Sequence, residues 1–282
     1  MYELEIKKIL NNNVIIASHP EHEEVVVIGK GIGFGKKVGD VLPEGIVEKM
    51  FVLTNERERE QYTMLVPHVS ERLIAIMNDV MLLIQDKIDA PLDEHIHVAL
   101  TDHIAFAIRR LKQGFAIDNP FLLETKALYP NEYEVATEVV ELINEHLQIN
   151  LPEGEIGFIA LHIYSSATNS EFSTVNQNSF LIASLVSLIE EQLALELDKE
   201  SIHYLRLIRH LHYAIERIKN GEKVVEPKRF ADILKDEYPI AYNLAWKLIK
   251  VMQNRLQMNV YDAEIVYLTM HLQRLVQSKR GV

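Results

Sequence analysis

The chain has 282 residues, a formal net charge of -12 and no cysteine, with 48% hydrophobic and 25% charged residues. Its length predicts two or three domains, each large enough for a core of its own, and the missing cysteine excludes disulfides, thiolate catalysis and cysteine-held metal. The acidic balance excludes a protein that coats nucleic acid without discrimination, so any such recognition must come from a small, shaped patch.

Residues 1 to 53 read as β structure: IKKIL, a turn at Asn11-Asn12-Asn13, VIIA, a turn at His19-Pro20-Glu21, VVVIG, a glycine-rich stretch and KMFVLT. A sheet this small buries little surface by itself, which predicts self-association. The charged run NERERE at 55 to 60 reads as a linker or a helix start. From Gln61 the apolar spacing turns helical, in RLIAIMNDVMLLI, VALTDHIAFAIRRL, YEVATEVVELINEHL and GEIGFIALHIY. A polar stretch at 165 to 179 separates this unit from a second with the same scheme, in SFLIASLVSLIEEQLALEL, SIHYLRLIRHLHYAIERI, YNLAWKLIKVMQNRL and EIVYLTMHLQRLV. The expected fold is α+β and multidomain: a small N-terminal antiparallel β domain with its linker (1 to 60), then two homologous all-α helical bundles (61 to 170 and 171 to 282). No run of about 18 to 20 apolar residues occurs and the start, MYELEIKK, has no apolar stretch, which predicts a cytoplasmic chain without membrane insertion.

The two helical units are copies about 107 to 109 residues apart, and each carries two histidines at matching places. LTDH ends at His103 and EIGFIALH at His162; LIRH ends at His210 and EIVYLTMH at His271. Helical spacing puts Glu155 on the face of His162 and Glu264 on that of His271, while His103 faces Arg110 and His210 faces Arg217. A neutral imidazole is a competent nucleophile near pH 7, and a phosphoryl group placed on it brings close to two negative charges that arginine can pair with. A histidine on an amphipathic helix is usually a satisfied boundary residue; four recurring in register favour phosphoryl acceptance. Beside the first histidine the copies differ, Asp102 against Arg209, which predicts that phosphate is opposed in the first copy and assisted in the second.

His95 with His97 and His210 with His212 resemble fragments of a zinc site, but residues two apart on a helix point to different sides, and no metal or other cofactor is expected. In the β region GKGIGFGKK, residues 29 to 37, lacks the ending of a P-loop. Its glycines allow close backbone approach while Phe34 stacks on an unpaired base, Lys36 and Lys37 meet phosphates, and Asn11 to Asn13 offer amides to base edges. The competing reading of the same stretch is a tight hairpin around a buried phenylalanine.

Taken together and in this order, LNNNV, GKGIGFGKK, LTDHIAFAI, GEIGFIALH and EIVYLTMHL resemble, over essentially the whole chain, the BglG/SacY/LicT-type transcriptional antiterminators, most of all their glucose-specific branch. The resemblance implies a co-antiterminator RNA-binding domain, dimeric through its small sheets, followed by two phosphotransferase-system (PTS) regulation domains. It implies a non-enzymatic regulator that binds a leader-mRNA hairpin and prevents an overlapping terminator from forming. The family's RNA contacts fall on Lys8, Asn13, Gly29, Lys30 and Phe34, and its phosphorylated histidines on His103, His162, His210 and His271, with Arg110 and Arg217 as phosphate-pairing candidates. The implied partners are the RNA hairpin, the sugar permease EII of the PTS, the carrier HPr and a second copy in a homodimer. The rival class is a histidine-dependent enzyme, either a phosphotransfer component or a metal-dependent hydrolase. A DNA-binding activator is a third reading, opposed by the lack of a helix-turn-helix N-terminus.

Overall fold

A computed structural model describes residues 3–42, 44–52, 60, 63–93, 95–115, 117–222, 228–261 and 263–280. Most of the expected linker at 55 to 60 lies outside the described residues. Five strands, β1 (Leu4–Ile9), β2 (Val14–His19), β3 (Glu23–Ile28), β4 (Val41–Leu42) and β5 (Lys49–Val52), form one antiparallel sheet in the order β4-β1-β2-β3-β5. The short β4 was not expected; it pairs Leu4 with Leu42 and closes the edge of β1. Leu4, Ile6, Ile15, Ala17, Val25, Val27, Ile32 and Leu42 form the core on one face. Val14, Ile16, Val26 and Ile28, which point the other way, are buried as well. Both faces of β2 and β3 are thus buried, while Glu5 and Lys7 of β1 stay exposed.

Ten helices follow among the described residues. The first copy comprises α1 (Glu71–Lys87), α2 (His95–Lys112), α3 (Leu122–Leu128), α4 (Pro130–Leu147) and α5 (Gly154–Ala167). The second comprises α6 (Phe172–Leu193), α7 (Ile202–Lys219), α8 (Lys228–Glu237), α9 (Pro239–Leu256) and α10 (Ala263–Arg280). Local sequence accounts for their limits: the hydroxyls of Ser70 and Ser201 accept from the amides of Leu73 and Tyr204 and cap α1 and α7, and Pro239 opens α9. The polar stretch expected to separate the copies is mostly helical. Ser165 and Ser166 lie at the end of α5 and Ser173, Asn176, Asn178 and Ser179 in α6, and only residues 168 to 171, with Asn169 and Ser170, lie between.

The chain packs as two units, residues 1–118 with 131–171, and residues 119–130 with 172–282. The second unit thereby includes α3, which packs on α6 and α7, whereas its counterpart by repeat, α8, packs on α9 and α10. The buried Glu124 of α3 accepts a 2.8 Å hydrogen bond from the fully buried hydroxyl of Tyr204. Helix α6 is long and apolar enough to cross a membrane, an exception to the expectation that no such stretch occurs. Its apolar side, Leu181, Ile182, Leu185, Val186 and Ile189, forms part of the second unit's core.

Candidate functional site: two histidine ladders and a glycine-rich loop

Each helical copy brings its two histidines together across a pair of antiparallel helices. In the first, His103 of α2 and His162 of α5 lie with ring centroids 5.2 Å apart; in the second, His210 of α7 and His271 of α10 lie 4.5 Å apart. One step along each pair sits a carboxylate with a guanidinium, Glu155 with Arg110 and Glu264 with Arg217. Arginine and histidine sit seven residues apart on one helix, and glutamate and histidine seven apart, in the opposite sense, on its neighbour. Two-turn spacing on both helices therefore makes each set a ladder with two rungs.

The partners are not those that spacing along one helix suggests. Glu155 bonds across the interface to Nε2 of His103, at 2.9 Å, and not to His162 of its own helix. Its other oxygen accepts from Arg110 at 2.8 Å, and Arg110 in turn lies over the ring of Phe106, 4.7 Å from its centroid. Because the carboxylate only accepts, it fixes the His103 proton on Nε2. In the second copy Arg217 takes both oxygens of Glu264, at 2.9 and 2.8 Å, so Nε2 of His210 is left 3.9 Å from the carboxylate and buried without a hydrogen bond. Matching aromatics flank the ladders, Phe158 against His103 and Tyr267 against His210.

Charge and burial then separate the histidines. Burial, with the nearby His103 and His95, holds His162 down to about 3. Burial, with His271 and Arg217, does the same to His210. His271 is lowered by burial, then by Arg274 and Arg206. All three are neutral at pH 7, the nucleophilic form. Asp102 and Arg209, expected to tune the neighbouring imidazoles, are both exposed, and the arginine acting on His210 is Arg217.

These depressed values have a consequence for stability. Between pH 6.5 and about 3 the folded protein binds fewer protons at His162 and His210 than the unfolded chain does. Their contribution is therefore complete above pH 6.5 and lost as the pH falls, by up to about 1.4 kcal/mol per pH unit for each group. Urea midpoints measured at pH 7, 6 and 5 are expected to fall steadily, and His162→Gln to flatten that dependence by about one proton. An unchanged slope in the variant would show that His162 does not titrate in this way.

In the β domain the three asparagines build the loop at 29 to 35. Oδ1 of Asn11 accepts from the amides of Asn13 and Val14, at 2.8 and 2.9 Å, closing the turn between β1 and β2. The carbonyl of Asn12 takes the Gly33 amide, at 2.9 Å, and Oδ1 of Asn13 takes that of Gly31, at 2.6 Å. The side-chain oxygens of Asn11 and Asn13 and the backbone carbonyl of Asn12 thus shape the loop. A Cβ on Gly29 would lie 2.2 Å from the Ile46 carbonyl oxygen, and one on Gly33 2.5 Å from that of Asn11, while Gly31 holds φ at +69°. The product of this packing is Phe34, 75% exposed, which removes the buried-phenylalanine reading. Lys8 and Lys30 are exposed and Gly29 is buried. Nδ2 of Asn13 donates to Glu71 at the start of α1, 3.3 Å away, tying the loop to the first regulatory helix.

The remaining candidates do not converge. His97 is buried with Nε2 3.4 Å from Oδ1 of Asn78, and His212 meets the edge of Tyr129. Among the described residues no three histidine or acidic side chains gather as metal ligands. Sequence reading missed Arg206 and Arg274, although the first stands four residues before His210 and the second three after His271.

The family model for the CAT RNA binding domain matches residues 4–60, and that for the PRD domain matches residues 78–166 and 183–275. The chain is 55% identical over 270 residues to the PtsGHI operon antiterminator of Bacillus subtilis, covering 96% of both chains. It is 41% identical over 274 residues to the GlcA/glcB genes antiterminator of Staphylococcus carnosus, again covering 96% of both. The crystal structure of GlcT CAT-PRDI matches with a TM-score of 0.54 and 56% identity, over 59% of this chain and 99% of that one. With the loop and both ladders inside the matched segments, this chain belongs to the GlcT-type transcriptional antiterminators, RNA-binding regulators and not enzymes.

Proposed function

We propose that this antiterminator binds a hairpin in the leader mRNA of a glucose PTS operon, as a cytoplasmic homodimer, and that phosphoryl transfer to its histidines sets whether the RNA site is formed. The observation that carries the reading is the duplicated ladder, in which two imidazoles sit beside a guanidinium that a buried carboxylate already holds. The acceptors are drawn from the set His103, His162, His210 and His271, with Arg110 and Arg217 as phosphate partners. The sugar permease EII and HPr are the donors.

In the transfer the imidazole lone pair attacks phosphorus, the donor's bond to phosphorus breaks, and the electron pair leaves with the donor side chain, which takes up a proton. A phosphoryl group on His103 adds close to two negative charges next to Glu155. It repels that carboxylate and competes for Arg110, so the α2–α5 pairing must rearrange. Names of relatives support the operon class, since the similar proteins are antiterminators of ptsGHI and of glcA/glcB. Lys8, Asn13, Gly29, Lys30 and Phe34 form the RNA-facing set: Phe34 supplies a stacking ring, Lys8 and Lys30 supply charge, and Asn13 and Gly29 shape the loop.

The test is binding of the full chain to the leader transcript upstream of a glucose permease gene. His103→Ala is expected to bind as the unmodified protein does, and His103→Asp, an imperfect phosphate mimic, to bind at least tenfold more weakly. Absence of binding by the unmodified chain would overturn the RNA assignment; equal binding by both variants would overturn control through His103.

A further inference from the structure

The two ladders differ at their far ends. The α7/α10 pair runs antiparallel through the rungs Arg217–Glu264 and His210–His271. One turn beyond the histidines the same progression reaches Arg206, four residues before His210, and Arg274, three after His271. Both arginines are exposed, and both are near enough to act on His271. Among the described residues neither is held by a carboxylate. Helix register thus brings two guanidiniums to the His271 end of the ladder, where an entering anion would be drawn to both.

The first ladder has no such end. The corresponding positions are Ala99 and Ser165, and the Ser165 hydroxyl is buried and donates to the carbonyl of His162 at 3.0 Å. His162 itself is buried, only 7% exposed, and the nearest guanidinium of its ladder, Arg110, is held by Glu155. A phosphoryl group there would be a buried dianion with no arginine of its own ladder free to meet it and only the imidazoles of His103 and His95 nearby, whereas His103 is partly exposed.

Resting on the reading of these histidines as phosphoryl acceptors, we infer that Arg206 and Arg274 form a phosphate cradle specific to the second copy. They assign its stable acceptor to His271, while the first copy takes phosphate on His103 and not on His162. The transfer is the one written above, with a phosphohistidine or phosphoramidate as donor: a bond forms between an imidazole nitrogen of His271 and phosphorus, and the donor's nitrogen–phosphorus bond breaks. The donor nitrogen keeps the electron pair and a proton. Each guanidinium then donates to phosphoryl oxygens, as the carboxylate of Glu264 already receives from Arg217.

The test uses the full chain with potassium phosphoramidate as a chemical phosphohistidine donor, mapping labelled histidines by mass spectrometry and following their loss at pH 7. Label is expected on His103 and His271 and absent from His162. In the Arg206→Gln/Arg274→Gln double variant, label on His271 should fall at least tenfold or decay at least tenfold faster, with His103 unchanged. Arg206→Lys/Arg274→Lys should restore part of it. Label on His162 in the unmodified chain, or His271 label indifferent to both arginines, would overturn the cradle while leaving phosphorylation intact. No label on any of the four histidines would instead remove the acceptor reading on which it rests.

Discussion

Replacing Glu155 by alanine is expected to destabilise the unit that contains it by about 3–5 kcal/mol, the cost of breaking a buried ion pair from one side. Its carboxylate is 2% exposed and bonds both Arg110 and His103. Without it, a guanidinium with only 12% exposure keeps its charge in a poorly solvated place, against the ring of Phe106. Glu264→Ala should cost less, about 1–3 kcal/mol, because Arg217 is 26% exposed and water can take over part of its solvation. Glu155→Gln should lie between: its amide oxygen still accepts from Arg110, while its NH2 group facing His103 requires the imidazole proton to move to Nδ1. The check is urea unfolding of the three variants against the unmodified chain. Equal losses for the two alanine variants would show that exposure of the arginine does not govern the cost.

The same carboxylates show what the sequence could and could not disclose. Period-3.6 spacing placed eight of the helices and showed that Glu155 shares a face with His162 and Arg110 with His103. It could not show which helix packs opposite, and the cross-helix bond from Glu155 to His103 depends on that. The convergence of Arg206 and Arg274 was hidden for the same reason, since each is an ordinary exposed arginine until α7 and α10 are set antiparallel. The Asp102/Arg209 difference pointed toward unequal copies, but neighbours in sequence point about 100° apart around a helix. The inequality we propose lies one turn away.

The β domain was legible in its strands but not in its division of labour. Alternating apolar residues marked β1 to β3 and β5; the two-residue β4 is too short to carry a pattern. Asparagines in a turn are equally suited to reading bases and to closing their own backbone, and only the hydrogen bonds decide between these uses. Helix α3 illustrates a further limit. Its seven residues resemble the start of a bundle helix in either copy, and the burial of Glu124 and Thr125 with the second unit follows from tertiary packing alone.

In the loop at 29 to 35, fold and recognition should separate between adjacent residues. Phe34→Ala removes a ring that is 75% exposed, so stability should change by no more than about 0.5 kcal/mol. If the ring stacks on a base, affinity for the leader hairpin should fall by about 1–3 kcal/mol, roughly 5- to 150-fold. Gly33→Ala acts by the opposite route. Its new Cβ would meet the Asn11 carbonyl oxygen at 2.5 Å, where backbone on both sides must shift, and the bond between the Gly33 amide and Asn12 would go with it. The expected result is a loss of about 1–3 kcal/mol in stability together with loss of RNA binding, because the turn that projects Phe34 is the part displaced. Thermal unfolding and RNA titration of both variants distinguish the two routes. Phe34→Ala binding like the unmodified chain would mean that the loop contacts RNA through its backbone and through Lys30, and that the exposed ring is not what the glycines were selected to present.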